Sequence, residues 1–303
     1  MAMKAAFKIV IEAIKEFSGD NATVLAAALS FYTTLSLAPV LMILMFVAGI
    51  IGEAAQQQLV LQMVTLVGPQ AGAVIQLIIE NVKRQQDAGF LSAVLGISAL
   101  MLSATAVFGQ LQQAMNRVWN VEAKPRGGEV IGWLRKRLLS IGIIAGIGFL
   151  MLVSLAVSTG LNLVFPDDGM FWDIVDLIVS LLVYALLFAL IFKVLPDVHV
   201  RWRDVWAGAI ITAVLFGVGK FAIGKYLGYS SVGSAYGAAG SLVILLVWVY
   251  YSSIIVFLGA ELAQVISRSR GAVVQPEEFA TEGNPDKGPQ DPNVVGFKES
   301  DGG

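Results

Sequence analysis

NATVLAAALSFYTTLSLAPVLMILMFVAGIIG, residues Asn21–Gly52, is a run of 32 residues without a charge, held between Asp20 and Glu53. A bilayer hydrocarbon core about 30 Å thick is crossed by about 20 helical residues. The run therefore reads as a membrane span, and as one too long to be straight. Ser30, Thr33, Thr34 and Ser36 cluster in its first half, and Pro39 follows them. Proline removes a backbone donor and crowds the preceding turn, so a kink or break is expected near Leu35. Two readings fit. Either the hydroxyls pack against neighbouring helices around a structural kink, or a broken helix lines a solute path.

The rest of the chain has the same character. Hydrophobic residues make up 57% and charged residues 14%, with a mean hydropathy of +0.77. Soluble domains carry roughly 25% charged residues, so the 303 residues are expected to form one polytopic membrane domain, all-α. The net charge of −2 says little, because much of the acidity lies in the C-terminal tail. The absence of cysteine excludes disulfides, thiol catalysis and Cys-based metal sites. The N-terminus lacks the short apolar core and small-residue cleavage site of a secretory signal.

Outward from the opening run, residues 1–20 read as an amphipathic surface helix, with Phe7, Val10, Ile11, Ile14 and Phe17 on one stripe. Residues 54–84 read as a pair of amphipathic helices broken at Gly68–Pro69, too polar to span. Six transmembrane helices are expected at about 25–52, 90–111, 139–165, 174–195, 205–226 and 241–263. Gly142 and Gly146 give the third a close-packing face, and Gly233 and Gly237 fall in a Gly/Ser-rich loop before the sixth. Asp204 is expected to cap the fifth. Between Lys225 and Glu261 lie 35 uncharged residues, again too many for one span. Residues 271–303, with four prolines, six glycines, seven carboxylates and two lysines, read as a disordered acidic tail.

Lysines and arginines set the orientation. Fourteen fall in the N-terminal segment, the loops after spans two and four, and the exit of span six, against four on the opposite side: Lys83, Arg84, Lys220 and Lys225. Both termini are thus expected in the cytoplasm. Trp119, Trp133, Trp172, Trp202 and Trp206 fall near expected span ends, as interfacial belts require.

Three motifs carry a resemblance: ALSFYTTLSLAPVL at Ala28–Leu41, NRVWNVE at Asn116–Glu122, and YGAAGSLVILLVWVYYSSIIVFLGAEL at Tyr236–Leu262. With WAGAIITAVLFGVGKFAIGKY at Trp206–Tyr226, they make the chain similar to the YihY/BrkB family of bacterial inner-membrane proteins, over about residues 7–268. The resemblance implies a six-helix, multi-pass protein of the bacterial inner (plasma) membrane. Members were once labelled ribonuclease BN, others are linked to serum resistance, and some to lipid or solute movement.

The ribonuclease reading ranks last on chemistry. Hydrolysis with a metal needs clustered His, Asp or Glu, and without one it needs positioned acid–base groups. The chain has one histidine, His199, in a charged turn. No enzyme activity, cofactor, metal or nucleic-acid partner is expected.

Glu261 is the most suggestive charge, because ionisable groups inside spans are costly and often functional. The alternative is an interfacial glutamate paired with Arg268 or with the cluster Arg135, Lys136 and Arg137. Those three bases serve topology and contact anionic lipid. Lys220 and Lys225 snorkel to headgroups or attract an anionic solute or lipid phosphate. The candidate path is Ser30, Thr33, Thr34, Ser36, Pro39, Tyr236 and Glu261, between spans one and six, with the hydroxyls and Glu261 in the same half of the membrane. The reading is a transporter or lipid/solute-translocating protein, with membrane lipids and a small-molecule or lipid substrate as partners. The alternative is a non-transporting scaffold for envelope integrity or assembly. Substrate, coupling ion and oligomeric state stay open.

Overall fold

The structure is a computed structural model and describes residues 2–67, 69–84, 106–123, 170–229, 236, 239–272, 276 and 280–282. Helices dominate it. In chain order they are α1 (Ala2–Gly19), α2 (Ala22–Ile51), α3 (Glu53–Val67), α4 (Pro69–Arg84), α5 (106–118), α6 (Met170–Val194), α7 (Trp202–Tyr229) and α8 (Gly240–Ser269). Among the described residues, three helices are long and apolar enough to cross a membrane: Leu177–Val194 in α6, Trp202–Leu227 in α7 and α8 throughout. A fourth candidate is the pair Phe7–Gly19 and Ala22–Ala38, bent by 64°. The expected span 139–165, Trp133, Trp172, the Arg135–Arg137 cluster, the Gly142 and Gly233 motifs and most of span 90–111 lie outside the described residues or side chains.

The opening run forms one helix. α2 continues through Pro39 without the break expected near Leu35, and the interruption comes instead at Gly52 (φ 137, ψ 167). A proline costs a span one internal hydrogen bond, which neighbouring helices can make good. A φ of 137 is strained for any side chain. The chain therefore breaks at the residue without a Cβ. The Gln56 amide then donates back to the Met45 carbonyl at 2.9 Å, holding α3 against the end of α2.

α3 and α4 form the expected helical pair on either side of residues 68 and 69. Met63, Ile75 and Ile79 pack on Leu41 and Met45 of α2, and Val74 joins Leu245 and Val249 of α8. α8 is the hub, contacting α7, α2, α1 and α4. It runs antiparallel to α2. Ala22, Ala26 and Leu29 share a core with Ala260 and Ala263, whereas Leu37 sits at the level of Leu245 and Val249. On α1, Ala13 is buried against Leu262 and Val265, while Phe7, Val10, Ile11 and Ile14 are left uncovered by protein.

Three expectations change. Trp119 is a core residue, 2% exposed, and no belt residue; it packs with Met115, Val118 and Phe192. Asp204 is no N-cap. It lies inside the first turn of α7, with its side chain turned into the protein. And within the segment 271–303 expected to be disordered, the described residues are ordered: strand β2 (Ala280–Glu282) pairs antiparallel with β1 (Val121–Ala123), and Val198 bridges Pro276.

Candidate functional site

The chain turns between α1 and α2 at Ser18–Asn21, where the Asp20 amide donates to the Glu16 carbonyl at 2.8 Å. Asn21 takes the left-handed conformation (φ 53), which asparagine tolerates better than most residues. This turn carries Asp20 against α8. There its side chain faces the Glu261 carboxyl. Glu261 is completely buried, and among the described residues no N–H or hydroxyl donor reaches either of its oxygens. Among the described residues, the base within ion-pair distance of Asp20 is Arg117 of α5, with Nε 3.7 Å from Oδ1. Burial pushes the Asp20 carboxyl above its ordinary range, opposed by Arg117 and reinforced by Glu16.

Arg268, the expected partner of Glu261, is engaged elsewhere. Its Nη1 donates to Glu16 at 3.1 Å and lies 3.8 Å from Glu12. α8 thus ends in a clamp on α1, while the glutamate about two turns earlier faces a second acid. The Oε1 of Gln264, one turn after Glu261 and also buried, lacks a partner too.

A second cluster lies where α7 starts and α8 ends. Asp204, 1% exposed, accepts from Arg201 Nε and Arg270 Nη1, both at 3.0 Å, and from the Ser267 hydroxyl at 3.3 Å. A third fixes the NRVWNVE motif. Asn116 donates to Asp197 at 2.8 Å and accepts from its backbone N–H at 2.8 Å, and Gln112 donates to the same carboxylate at 3.0 Å. Asp197 belongs to the turn that holds His199, which is itself exposed.

The hydroxyls of α2 are dispersed. Ser30 donates to the Ala27 carbonyl at 2.8 Å and Ser36 to Thr33 at 3.0 Å, so both are satisfied by their own helix. Thr34 is buried, and its hydroxyl has no partner. At a helical rise of 1.5 Å per residue, Thr34 lies about 21 Å along α2 from Asp20. The structure therefore does not set Ser30–Ser36 beside Glu261; they lie at the opposite end of the α2–α8 contact. Tyr236 is exposed at 59%. Lys220 donates to the Tyr184 hydroxyl at 3.2 Å, and Lys225 lies 4.8 Å from the centre of the Phe221 ring. Lys193, at the end of α6, donates to the Val200 carbonyl and sits 5.9 Å over the Trp202 ring.

Sequence reasoning missed Asp20, which served only to bound the first uncharged run. A signal was there: Asp20 and Glu261 are the charges that bound the two over-long uncharged runs. In an antiparallel pair of helices those bounds fall at the same level. Also missed were the glycines that let α7 and α8 touch. A Cβ on Gly259 would lie 1.8 Å from Thr212 Oγ1, and one on Gly208 would lie 2.4 Å from the Ala263 Cβ.

The family described as Virulence factor BrkB matches residues 13–282, which include all three motifs and end with β2. The chain belongs to the BrkB family. Its relatives include a UPF0761 membrane protein of Verminephrobacter eiseniae, 29% identical over 271 residues, covering 84% of this chain and 61% of that protein. One of Albidiferax ferrireducens is 28% identical over 82% of this chain and 60% of its own length. One of Tolumonas auensis is 27% identical over 80% of both. This BrkB-family chain spans about three fifths of the length of the first two. No solved structure matches it.

Proposed function

We propose that this BrkB-family chain moves a lipid or small solute across the bacterial inner membrane, along a path lined by α2 and α8. The observation that carries the reading is Glu261, a carboxyl buried completely within an apolar helix. A charge in such a place is expensive, and proteins keep it where it acts on a passing ion or substrate. The partnerless hydroxyl of Thr34, farther along the same helix pair, supports the reading with a second polar point on the route. Six spans with both termini in the cytoplasm complete the proposal. They rest on the four further apolar runs and on the fourteen-to-four division of basic residues. The proposed partners are membrane lipids and the translocated molecule, without nucleic acid or cofactor. Glu261→Gln and Thr34→Val tested in proteoliposomes decide the matter. Fluorescent phospholipid or labelled solute should cross faster than in empty vesicles, and both substitutions should slow it. Absence of flux across a panel of lipids and solutes, with one stoichiometric partner recovered by crosslinking, would instead favour the envelope scaffold.

A further inference from the structure

The Asp20–Glu261 contact lies between two elements of different kinds, a turn and a span. Glu261 is fully buried, both its oxygens lack a donor, and the polar group facing it is another carboxyl. Two bare carboxylates facing each other in a buried place repel, and burial without donors adds to the cost. A single proton shared between them, the O–H of one donating to an oxygen of the other, removes both costs. The surrounding charges favour this. Glu16 faces the pair from α1, Asp20 comes from the turn, Arg117 from α5 and Arg268 from α8 itself, where it also meets Glu12. Arg268 is taken up by Glu12 and Glu16, and α2 has no charge. From α7, Asp204 is satisfied by Arg201, Arg270 and Ser267. Among the described residues, Arg117 is thus left to balance two acids, and its Nε finds no hydrogen bond there.

We propose that Asp20 and Glu261 form a proton-binding site, holding a single proton between them at the junction of the α1–α2 turn with α8. When the proton leaves to water, two like charges face each other in a buried place and push the turn away from α8. When it returns, they close. Resting on the translocation reading, the proton becomes the coupling ion, and the movement it drives is that of α1 and the start of α2 against α8.

The experiment has two arms on the purified full-length chain. Infrared difference spectra at neutral pH should show a protonated-carboxyl C=O stretch that disappears in Glu261→Gln and is shifted or lost in Asp20→Asn. Circular dichroism checks that each variant is folded, and either variant alone suffices. The absence of that band in the wild type, or its survival in both variants, overturns the site. The second arm uses vesicles of phosphatidylethanolamine and phosphatidylglycerol carrying fluorescent phosphatidylethanolamine. A proton gradient should change the wild-type translocation rate by at least about fivefold, the scale of a typical coupling between sites. It should leave the variants unmoved. Translocation that ignores the proton gradient, or that follows sodium instead, overturns the coupling while the infrared band keeps the site. No translocation at all overturns the transport reading together with the coupling, and the band again decides the site by itself.

Discussion

Gly259→Ala tests what holds the two central helices together. The added Cβ would stand 1.8 Å from Thr212 Oγ1, 2.8 Å from its Cβ and 2.9 Å from its Cγ2. Ordinary contact begins at 3.4 Å, so the hydroxyl must give by 3.4 − 1.8 = 1.6 Å. Rotating Thr212 relieves Oγ1 but breaks its hydrogen bond to the Gly208 carbonyl at 2.7 Å. That loss is about 0.5–1.5 kcal/mol. Rotation cannot move the Thr212 Cβ, so α7 and α8 must also part, and overpacking of this kind costs about 1–3 kcal/mol. The two together give about 1.5–4.5 kcal/mol, or a shift of about tenfold to about two-thousandfold in the unfolding equilibrium. The measurement is SDS-induced unfolding of the purified protein in mixed micelles, as a double-mutant cycle with Thr212→Gly. Removing every side-chain atom at 212 should recover more than about 1 kcal/mol of the Gly259→Ala loss, a coupling typical of residues in contact. A Gly259→Ala protein as stable as wild type, or a cycle without coupling, would refute the close approach.

Asp204→Asn removes a buried carboxylate that takes two arginines and a serine. Because the arginines are half exposed and keep water, the expected loss is about 1–3 kcal/mol in the same titration; no loss would show that the cluster is ornamental. Asn116→Ala leaves Asp197 without two of its three hydrogen bonds to Asn116 and Gln112, and should lower Tm in detergent while Asn116→Asp lowers it further by placing like charges together. Ending the chain after residue 282 should leave Tm unchanged, whereas ending it after 272 removes β2 and should cost about 1 kcal/mol, a short strand pair being worth little alone. Equal Tm for the two would show that β2 contributes nothing. Burial raises the Asp20 carboxyl above 3.8, so the folded chain keeps that proton to higher pH than the unfolded chain. Unfolding then releases a proton, and stability falls as pH climbs past 3.8; Asp20→Asn should flatten that slope, and an unchanged slope would remove Asp20 as its source.

The sequence by itself determined the class and the local elements. Uncharged runs longer than a bilayer needs, amphipathic periodicity in residues 54–84 and the Gly68–Pro69 junction were all legible, because each depends on neighbours within a few turns. So was Glu261 as a residue of interest, since a charge at the end of 35 apolar residues stands out without any partner. The position of the break in the opening run was decided by backbone conformation: Gly52 can adopt φ 137, whereas Pro39 costs its helix a single bond. What Glu261 faces was decided only by the packing of distant segments. Asp20 is 241 positions away in the chain, and it reaches Glu261 because α2 and α8 run antiparallel and the α1–α2 turn closes over the end of α8. The same holds for Trp119, read as an interfacial residue and found in the core, and for Ala280–Glu282, read as tail and found paired with Val121–Ala123. Hydropathy says which residues leave water. It carries no term for which buried group meets which, and in this protein that meeting brings two acids together.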